Sequence, residues 1–195
     1  MKNKVLIAIL AVAAVFILWG IKANNKMVTE NENVSKAWSQ VENVYQRRYD
    51  LIPQLVKTVQ GAADYEKGTL TAVIEARSNV VKIDANELTE ENIGKFQQSQ
   101  DALTEALNKS ISLTVERYPE LTATQGFRDL QTQLEGTENR IATERNKFNE
   151  AVQRYNTTIL RFPNSIIARI CNFDKKGYFT ASSAAEKPVE VNFEF

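Results

Sequence analysis

Charged side chains in two widely separated motifs supply groups that could perform acid/base chemistry. Arg48 and Asp50 lie in an early motif, whereas Glu138 and Glu144 lie much later in the chain. Paired carboxylates can act as general acid and general base. The first question for this sequence is whether these groups form an active site or a structural cluster.

The spacing of the apolar residues favours a structural role. Apolar residues recur every three or four positions around Arg48 and Glu144, which places both side chains on the apolar faces of helices. The sequence offers no substrate-shaping loop beside them, and buried arginine–carboxylate pairs inside helical bundles more often fix register than perform chemistry. We therefore predict a structural polar layer, without catalytic residues, that draws on Arg48, Asp50, Glu138 and Glu144.

The composition excludes much of ordinary enzymology. Histidine is absent, and the one cysteine, Cys171, has no histidine to activate it, so we interpret it as a small buried apolar residue. Seven glycines and four prolines leave little material for a phosphate-binding loop, and the 24 basic residues are balanced by 24 acidic ones. The sequence predicts no enzyme activity, no metal, no cofactor and no nucleic-acid ligand.

An uncharged apolar run from Val5 to Ile21 predicts a membrane anchor. At about 1.5 Å per residue it spans roughly 25 Å, and flanking lysines can extend this reach by snorkelling. A cleaved signal peptide is the alternative, but the run is long for one and lacks a good cleavage site. The lipid bilayer is thus an expected partner, through an anchor that includes Val5, Leu6, Phe16, Trp19 and Ile21.

The orientation of this anchor is weakly encoded. Lys2 and Lys4 precede the apolar run, and Lys22 and Lys26 follow it, so the positive-inside rule finds little imbalance. A short basic N-terminus before one apolar run usually stays in the cytoplasm. We therefore expect a single-pass protein of the cell membrane with the bulk of its domain outside the cytoplasm, and a cytoplasmic domain is the alternative.

Helical periodicity continues through most of the remaining chain. Apolar residues spaced three or four positions apart predict a first helix from about 34 to 62, with a kink or a break near Pro53. The same spacing predicts a second helix from about 65 to 82. Thr89 is predicted to cap a third helix that Pro119 ends, and Thr122 with Gln125 forms a capping box for a fourth that Pro163 ends. The predicted fold is all-α: the membrane helix continues into an antiparallel four-helix bundle.

The last residues have a different pattern. Apolar and polar residues alternate near the C-terminus, so an extended chain would present one apolar face. This face either packs on the bundle or binds a partner, for example by adding a strand to a sheet. We divide the chain into an anchor (1–22), a bundle domain (23–171) and an aromatic turn with an extended tail (172–195). The candidate partner-binding side chains in the tail are Val189, Val191, Phe193 and Phe195.

Several motifs together resemble one family. The sequences RRYDLIPQLV at 47–56 and GTENRI at 136–141, with Phe162-Pro163 and Gly177-Tyr178-Phe179, are similar to the LemA family of bacterial membrane proteins over roughly residues 27–193. The resemblance implies a single-span N-terminal anchor and an antiparallel helical bundle. It also implies a short N-terminus outside the cell, opposite to the charge argument, and it points to membrane proteases and TPM-domain proteins as candidate partners.

Two classes of function remain. The first is a non-enzymatic scaffold or adaptor of the bacterial cell envelope whose bundle presents a surface to a membrane-associated protein. The second is a ligand-sensing bundle next to the membrane, because such bundles can bind small molecules between their helices. A reproducible protein partner would support the first class, and ligand-dependent melting without a partner would support the second.

Overall fold

The computed structural model describes residues 2–60 and 67–180. The helices are α1 (Lys2–Gln60), α2 (Lys67–Ser78), α3 (Glu90–Arg117), α4 (Pro119–Thr122), α5 (Gln125–Leu160) and α6 (Asn164–Ile170). No strand occurs within these described ranges. The all-α prediction with a long apolar N-terminal helix is confirmed.

Helix α1 is one continuous helix of 59 residues, from the apolar run to the far end of the helical domain. By length and composition it is able to cross a membrane. Pro53 lies inside it and does not end it. The residues on both sides of the proline, Ile52 and Leu55, are each 1% exposed. Packing on both sides thus holds the helix together where the missing amide would otherwise favour a break.

Helices α1 and α5 form the central pair and run antiparallel. The ring of Trp38 contacts that of Phe148, whereas Arg48, further along α1, contacts Glu138, which is earlier in α5. Helix α3 completes this core, because Phe96 stacks edge-on against Trp38 at 5.2 Å. Burial of such large aromatic side chains is the main stabilising contribution in this half of the domain.

A second apolar cluster fills the half of the domain furthest from the apolar run. Helix α2 packs against α3 and contributes Leu70 and Val73 to this cluster. Leu103 of α3 and Leu130 of α5 meet them from the other side. The two clusters lie on either side of Arg48, so the buried charge sits between two apolar layers.

The helix ends show why the chain turns where it does. Thr89 accepts a hydrogen bond from the amide of Asn92 and caps α3, as the sequence predicts. The predicted capping box at Thr122 is wrong, because Thr122 ends the short helix α4. Thr124 caps α5 by accepting from the amide of Phe127 instead. Pro119 starts α4 at a position where a missing amide costs nothing, and this short turn shifts the cap by two residues.

Helix α6 closes the end of the domain next to the apolar run. Ala168 is buried against the core that begins on α1 with Ala23 and Met27. Ile167 Cδ1 lies 3.5 Å from the position that a Cβ on Gly20 would occupy, which is van der Waals contact. The core of the domain therefore starts at the last turn of the apolar run.

Candidate functional site

The guanidinium of Arg48 is the most deeply buried charge described in the structure. Arg48 as a whole is 1% exposed. Its Nη1 donates to Glu138 Oε1 at 2.9 Å and to Thr104 Oγ1 at 2.6 Å. Its Nη2 donates to the side-chain oxygen of Gln100. A buried guanidinium without partners would be very costly, and here two of its nitrogens are satisfied from two other helices.

The layer around Arg48 differs from the predicted one in two members. Asp50 is exposed, and its carboxylate accepts from Gln46 on the same helix. Glu144 pairs with Lys147 at 2.7 Å on α5. Asp50 is two residues from Arg48 and so points to another side of α1, and the antiparallel register places Glu138, not Glu144, level with Arg48. Asp50 and Glu144 do not belong to the polar layer.

Two tyrosines extend the polar layer towards the surface. The ring of Tyr45 lies under the guanidinium, with 5.1 Å from the arginine carbon to the ring centre. Gln100 donates from its amide nitrogen to the hydroxyl of Tyr49 at 2.9 Å. Burial raises the pKa of Tyr45 to about 12, and burial also raises the pKa of Tyr49. Both phenols therefore stay neutral at physiological pH.

A cavity of about 500 Å³ opens beside this layer. Tyr45, Tyr49 and Gln100 line its inner side, and Glu42 and Arg77 line its outer part. Burial raises the pKa of the Glu42 carboxyl. The cavity offers hydrogen-bonding groups, one acidic side chain (Glu42) and two basic ones (Arg77 and Lys82), so a small polar molecule could be bound there.

Amide side chains hold an extended segment, residues 173–180, along the bundle. Asn149 donates to the carbonyl of Phe179 and accepts from its amide, both at 2.9 Å. Asn156 makes the same pair of bonds with the backbone of Lys176, at 2.9 and 3.0 Å. Gln97 repeats the arrangement with Thr180, at 3.2 and 3.0 Å. Each side-chain amide thus makes the pair of hydrogen bonds that one residue of a neighbouring β-strand would make. This structural role accounts for the seven-residue spacing of Asn149 and Asn156, and no catalytic role is needed to explain it.

Two further residues fix this segment. The side chain of Phe179 is 5% exposed and contacts Trp38, Phe96 and Phe148. The amide of Gly177 donates to the carbonyl of Leu88 at 2.9 Å. A Cβ on Gly177 would come within 2.6 Å of the backbone of α3, so only glycine fits this approach. Sequence reasoning noted these residues as motifs but missed their role.

The other predicted site residues lie apart from the polar layer. Leu6, Phe16 and Ile21 of the anchor are more than half exposed, as expected for a surface that lipid would cover, whereas Trp19 packs partly against the core. Val5 lies in α1. Cys171 is exposed, contrary to the buried position that we predicted, because α6 turns it away from the core. The tail residues Val189, Val191, Phe193 and Phe195 fall outside the described residues.

Metal ligation gains no support from the described part of the chain. Within residues 2–60 and 67–180, no three side chains of cysteine, aspartate or glutamate are grouped so that they could hold a metal ion. The carboxylate of Glu138 is already bonded to Arg48. The side chains of the Arg48 layer thus bond one another, and Asn149, Asn156 and Gln97 bond the backbone.

Comparison with known proteins agrees with the motifs. Magnetosome protein MamQ 2 of Paramagnetospirillum magneticum is 26% identical over 94% of this chain and 74% of its own length. MamQ of Magnetospirillum gryphiswaldense gives the same values, and Protein LemA of Metamycoplasma hominis is 22% identical over 96% of this chain and 82% of its own. The model of the LemA family matches residues 37–193, which include Arg48, Glu138, both motif asparagines and Gly177. The chain therefore belongs to the LemA family.

Proposed function

We propose that the protein is a non-enzymatic scaffold, a helical bundle anchored in the bacterial cell membrane that presents a surface to a membrane-associated protein. One observation carries this proposal: the helix that is apolar enough to span a membrane is also the longest helix of the domain, without interruption. A flexible linker would let a domain search a volume, whereas a continuous helix holds it in one place.

The length of α1 defines what the scaffold would do. The 39 residues from Lys22 to Gln60 extend about 58 Å at 1.5 Å per residue. Apolar clusters and the Arg48 layer fix α5 to this helix along most of that length. A partner bound at the far end would be held about 60 Å from the bilayer, and one bound near α6 would be held at its surface.

The direction of the polar groups also supports a non-enzymatic role. The guanidinium of Arg48 is directed to Glu138, Thr104 and Gln100 inside the domain. The motif amides Asn149 and Asn156 are directed to the backbone of their own chain. The groups that could have formed a reactive site are thus used to fix the position of helices and of the extended segment.

Crosslinking in intact membranes followed by affinity purification tests the scaffold. We expect one membrane-associated protein to be recovered reproducibly with the full chain, and membrane proteases and TPM-domain proteins are the first candidates. The control is the same apolar segment fused to an unrelated helical domain, which should not recover it. Equal recovery with the control, or no reproducible partner, would contradict the scaffold.

The cavity beside Tyr45 and Tyr49 supports a second candidate, a ligand-sensing bundle. Its lining joins α1 to α3 next to the buried charge, so a bound molecule would change the packing of the helix that enters the membrane. Thermal unfolding of the full chain with a library of small polar molecules tests this function. A ligand that raises the melting temperature of the native chain, but not of a Tyr49→Ala variant, would favour sensing over scaffolding.

A further inference from the structure

Four exposed apolar side chains lie where the domain meets the apolar run of α1. They are Leu160, Phe162, Ile166 and Ile170, with exposed fractions between 52% and 78%. We call them the α6 patch. Exposed apolar groups of this size, clustered within a few residues, usually mark a surface that something covers.

The position of α6 shows what can cover this patch. Ile167 contacts Gly20, which lies in the last turn of the apolar run, and Ala168 is buried against the same core as Ala23. Ile166 and Ile170 are one helical turn apart, and Ala168 lies on roughly the opposite side of α6. The α6 patch therefore points away from the bundle core, at the level where α1 leaves the apolar run.

The charged side chains in the two chain segments that meet at the α6 patch are all basic. Lys22 and Lys26 of α1 and Arg161 and Arg169 around α6 are exposed. The sequence has no aspartate or glutamate between residues 2 and 29 or between 155 and 173. Apolar side chains next to exposed basic groups are the combination that binds the interface of a bilayer containing anionic lipids.

We propose that the α6 patch inserts into the bilayer interface and forms a second membrane contact beside the α1 span. This inference rests on the proposed membrane anchoring of α1. Phe162, Ile166 and Ile170 lie among the acyl chains near the headgroups, and the basic residues contact anionic phosphates. The domain then has two points of attachment, α1 and α6, which fix its tilt as well as its distance from the bilayer.

Cys171 provides a probe, because it is exposed, follows Ile170 directly and is the single cysteine of the chain. The full chain, labelled there with an environment-sensitive fluorophore, is reconstituted into vesicles of phosphatidylglycerol and phosphatidylcholine in equal amounts. Some of the lipids carry a nitroxide quencher just below the headgroup. The control label is placed at the exposed Lys109 of α3, through Lys109→Cys in a Cys171→Ser background.

We expect lipid-borne quenching at position 171 and none above background at position 109. The variant Phe162→Ser with Ile166→Ser should lower the quenching at 171 at least about two-fold. Its control is Ile74→Ser with Val115→Ser, which removes two exposed apolar side chains, 50% and 46% exposed, outside the α6 patch and should leave the quenching unchanged. Because all four side chains are exposed, circular dichroism should show native helix content for both variants.

Each other outcome overturns the proposal in a recognisable way. If the labelled chain floats with the vesicles but position 171 is quenched no more than position 109, the patch is not in the bilayer and the α1 anchor stands. If quenching survives Phe162→Ser with Ile166→Ser, the patch does not make the contact. Oxidative dimers of the unlabelled chain through Cys171, together with no lipid quenching of the labelled chain, would show that a second copy covers the patch. A chain that does not float with vesicles would overturn the anchor and the patch together.

Discussion

Replacing Glu138 should destabilise the domain far more than the loss of an exposed charge, because it leaves the guanidinium of Arg48 buried without its counter-ion. Two unit charges about 4 Å apart interact by about 4 kcal/mol at an effective dielectric constant near 20. Removal of one partner of a buried pair typically costs 3–5 kcal/mol. The side chain of Glu138 is 40% exposed, which screens the pair, so we expect Glu138→Ala to lose about 3 kcal/mol.

Changes at Arg48 separate the charge from its packing. Arg48→Ala should lose about 3–5 kcal/mol, since it removes a buried stem and leaves the buried amide of Gln100 without its partner. Arg48→Met keeps most of the volume and should lose about 1–3 kcal/mol, mainly for the unpaired amide. The double change Arg48→Met with Glu138→Leu should be closer to the native chain than Glu138→Ala alone, because no charge is then buried.

Chemical denaturation of the full chain in detergent micelles, followed by circular dichroism, measures these differences. The control is Lys109→Ala on the exposed face of α3, for which we expect no measurable change. Equal and small losses for Arg48→Ala and Lys109→Ala would refute the reasoning. The arginine would then be solvated, and its place in the motif would require an explanation in binding.

Four further predictions concern which fragments fold, the orientation in the membrane, the tail beyond the described residues, and the response to pH. A fragment starting at Asn25 should fold into a helical domain, because it keeps the whole second core cluster and all of the first except Ala23 and the packing of Trp19. It should melt below a fragment starting at Gly20, which keeps Ala23 and the contact of Gly20 with α6. An Asn25 fragment that is unfolded by circular dichroism would contradict the interpretation that the bundle domain folds without the anchor. Protease added to spheroplasts should cleave the domain, as expected if it lies outside the cytoplasm, and full protection would reverse that orientation. Deletion of residues 188–195 should leave the melting temperature unchanged and abolish recovery of the crosslinked partner if the tail is a ligand; lower stability with unchanged recovery would make the tail part of the core. Finally, the free energy of unfolding should fall as the pH rises from about 10 to about 12, and Tyr45 should account for up to about 3 kcal/mol of this fall. The reason is that the phenol of Tyr45 loses its proton at a lower pH in the unfolded chain than in the folded one. In alkaline denaturation curves, Tyr45→Phe should make this decline less steep.

The spacing of apolar residues predicted which faces of the helices are buried. It could do so because the apolar face of a helix is set by the sequence of that helix alone. The seam through Trp38, Tyr45 and Arg48 is buried as its spacing indicates. The partner of Arg48 depends on how far α5 is shifted along α1, and this register is a property of the pair. Three carboxylates were therefore compatible with the sequence, and the antiparallel alignment selects Glu138.

The role of the motif asparagines could not be predicted from spacing. Asn149 and Asn156 form hydrogen bonds with the backbone of an extended segment. Since nearly every residue carries the same backbone groups, the sequence does not show which of them will be bonded. The exposed position of Cys171 and the contact of α6 with Gly20 depend in the same way on where the chain turns after Phe162. Features set by one helix were predictable, whereas features set by the meeting of distant segments were not.

In the proposed membrane-anchored protein, the unbroken course of α1 also sets the direction in which each side of the domain faces around the axis of the membrane span. Each residue of an α-helix turns the chain by about 100° and advances it by about 1.5 Å. One residue added between Lys26 and Val34 would therefore turn most of the domain by more than a quarter of a circle relative to the span, and a seven-residue addition would restore the facing within about 20°. The number of residues in this stretch thus encodes which side of the bundle faces a neighbour in the plane of the membrane.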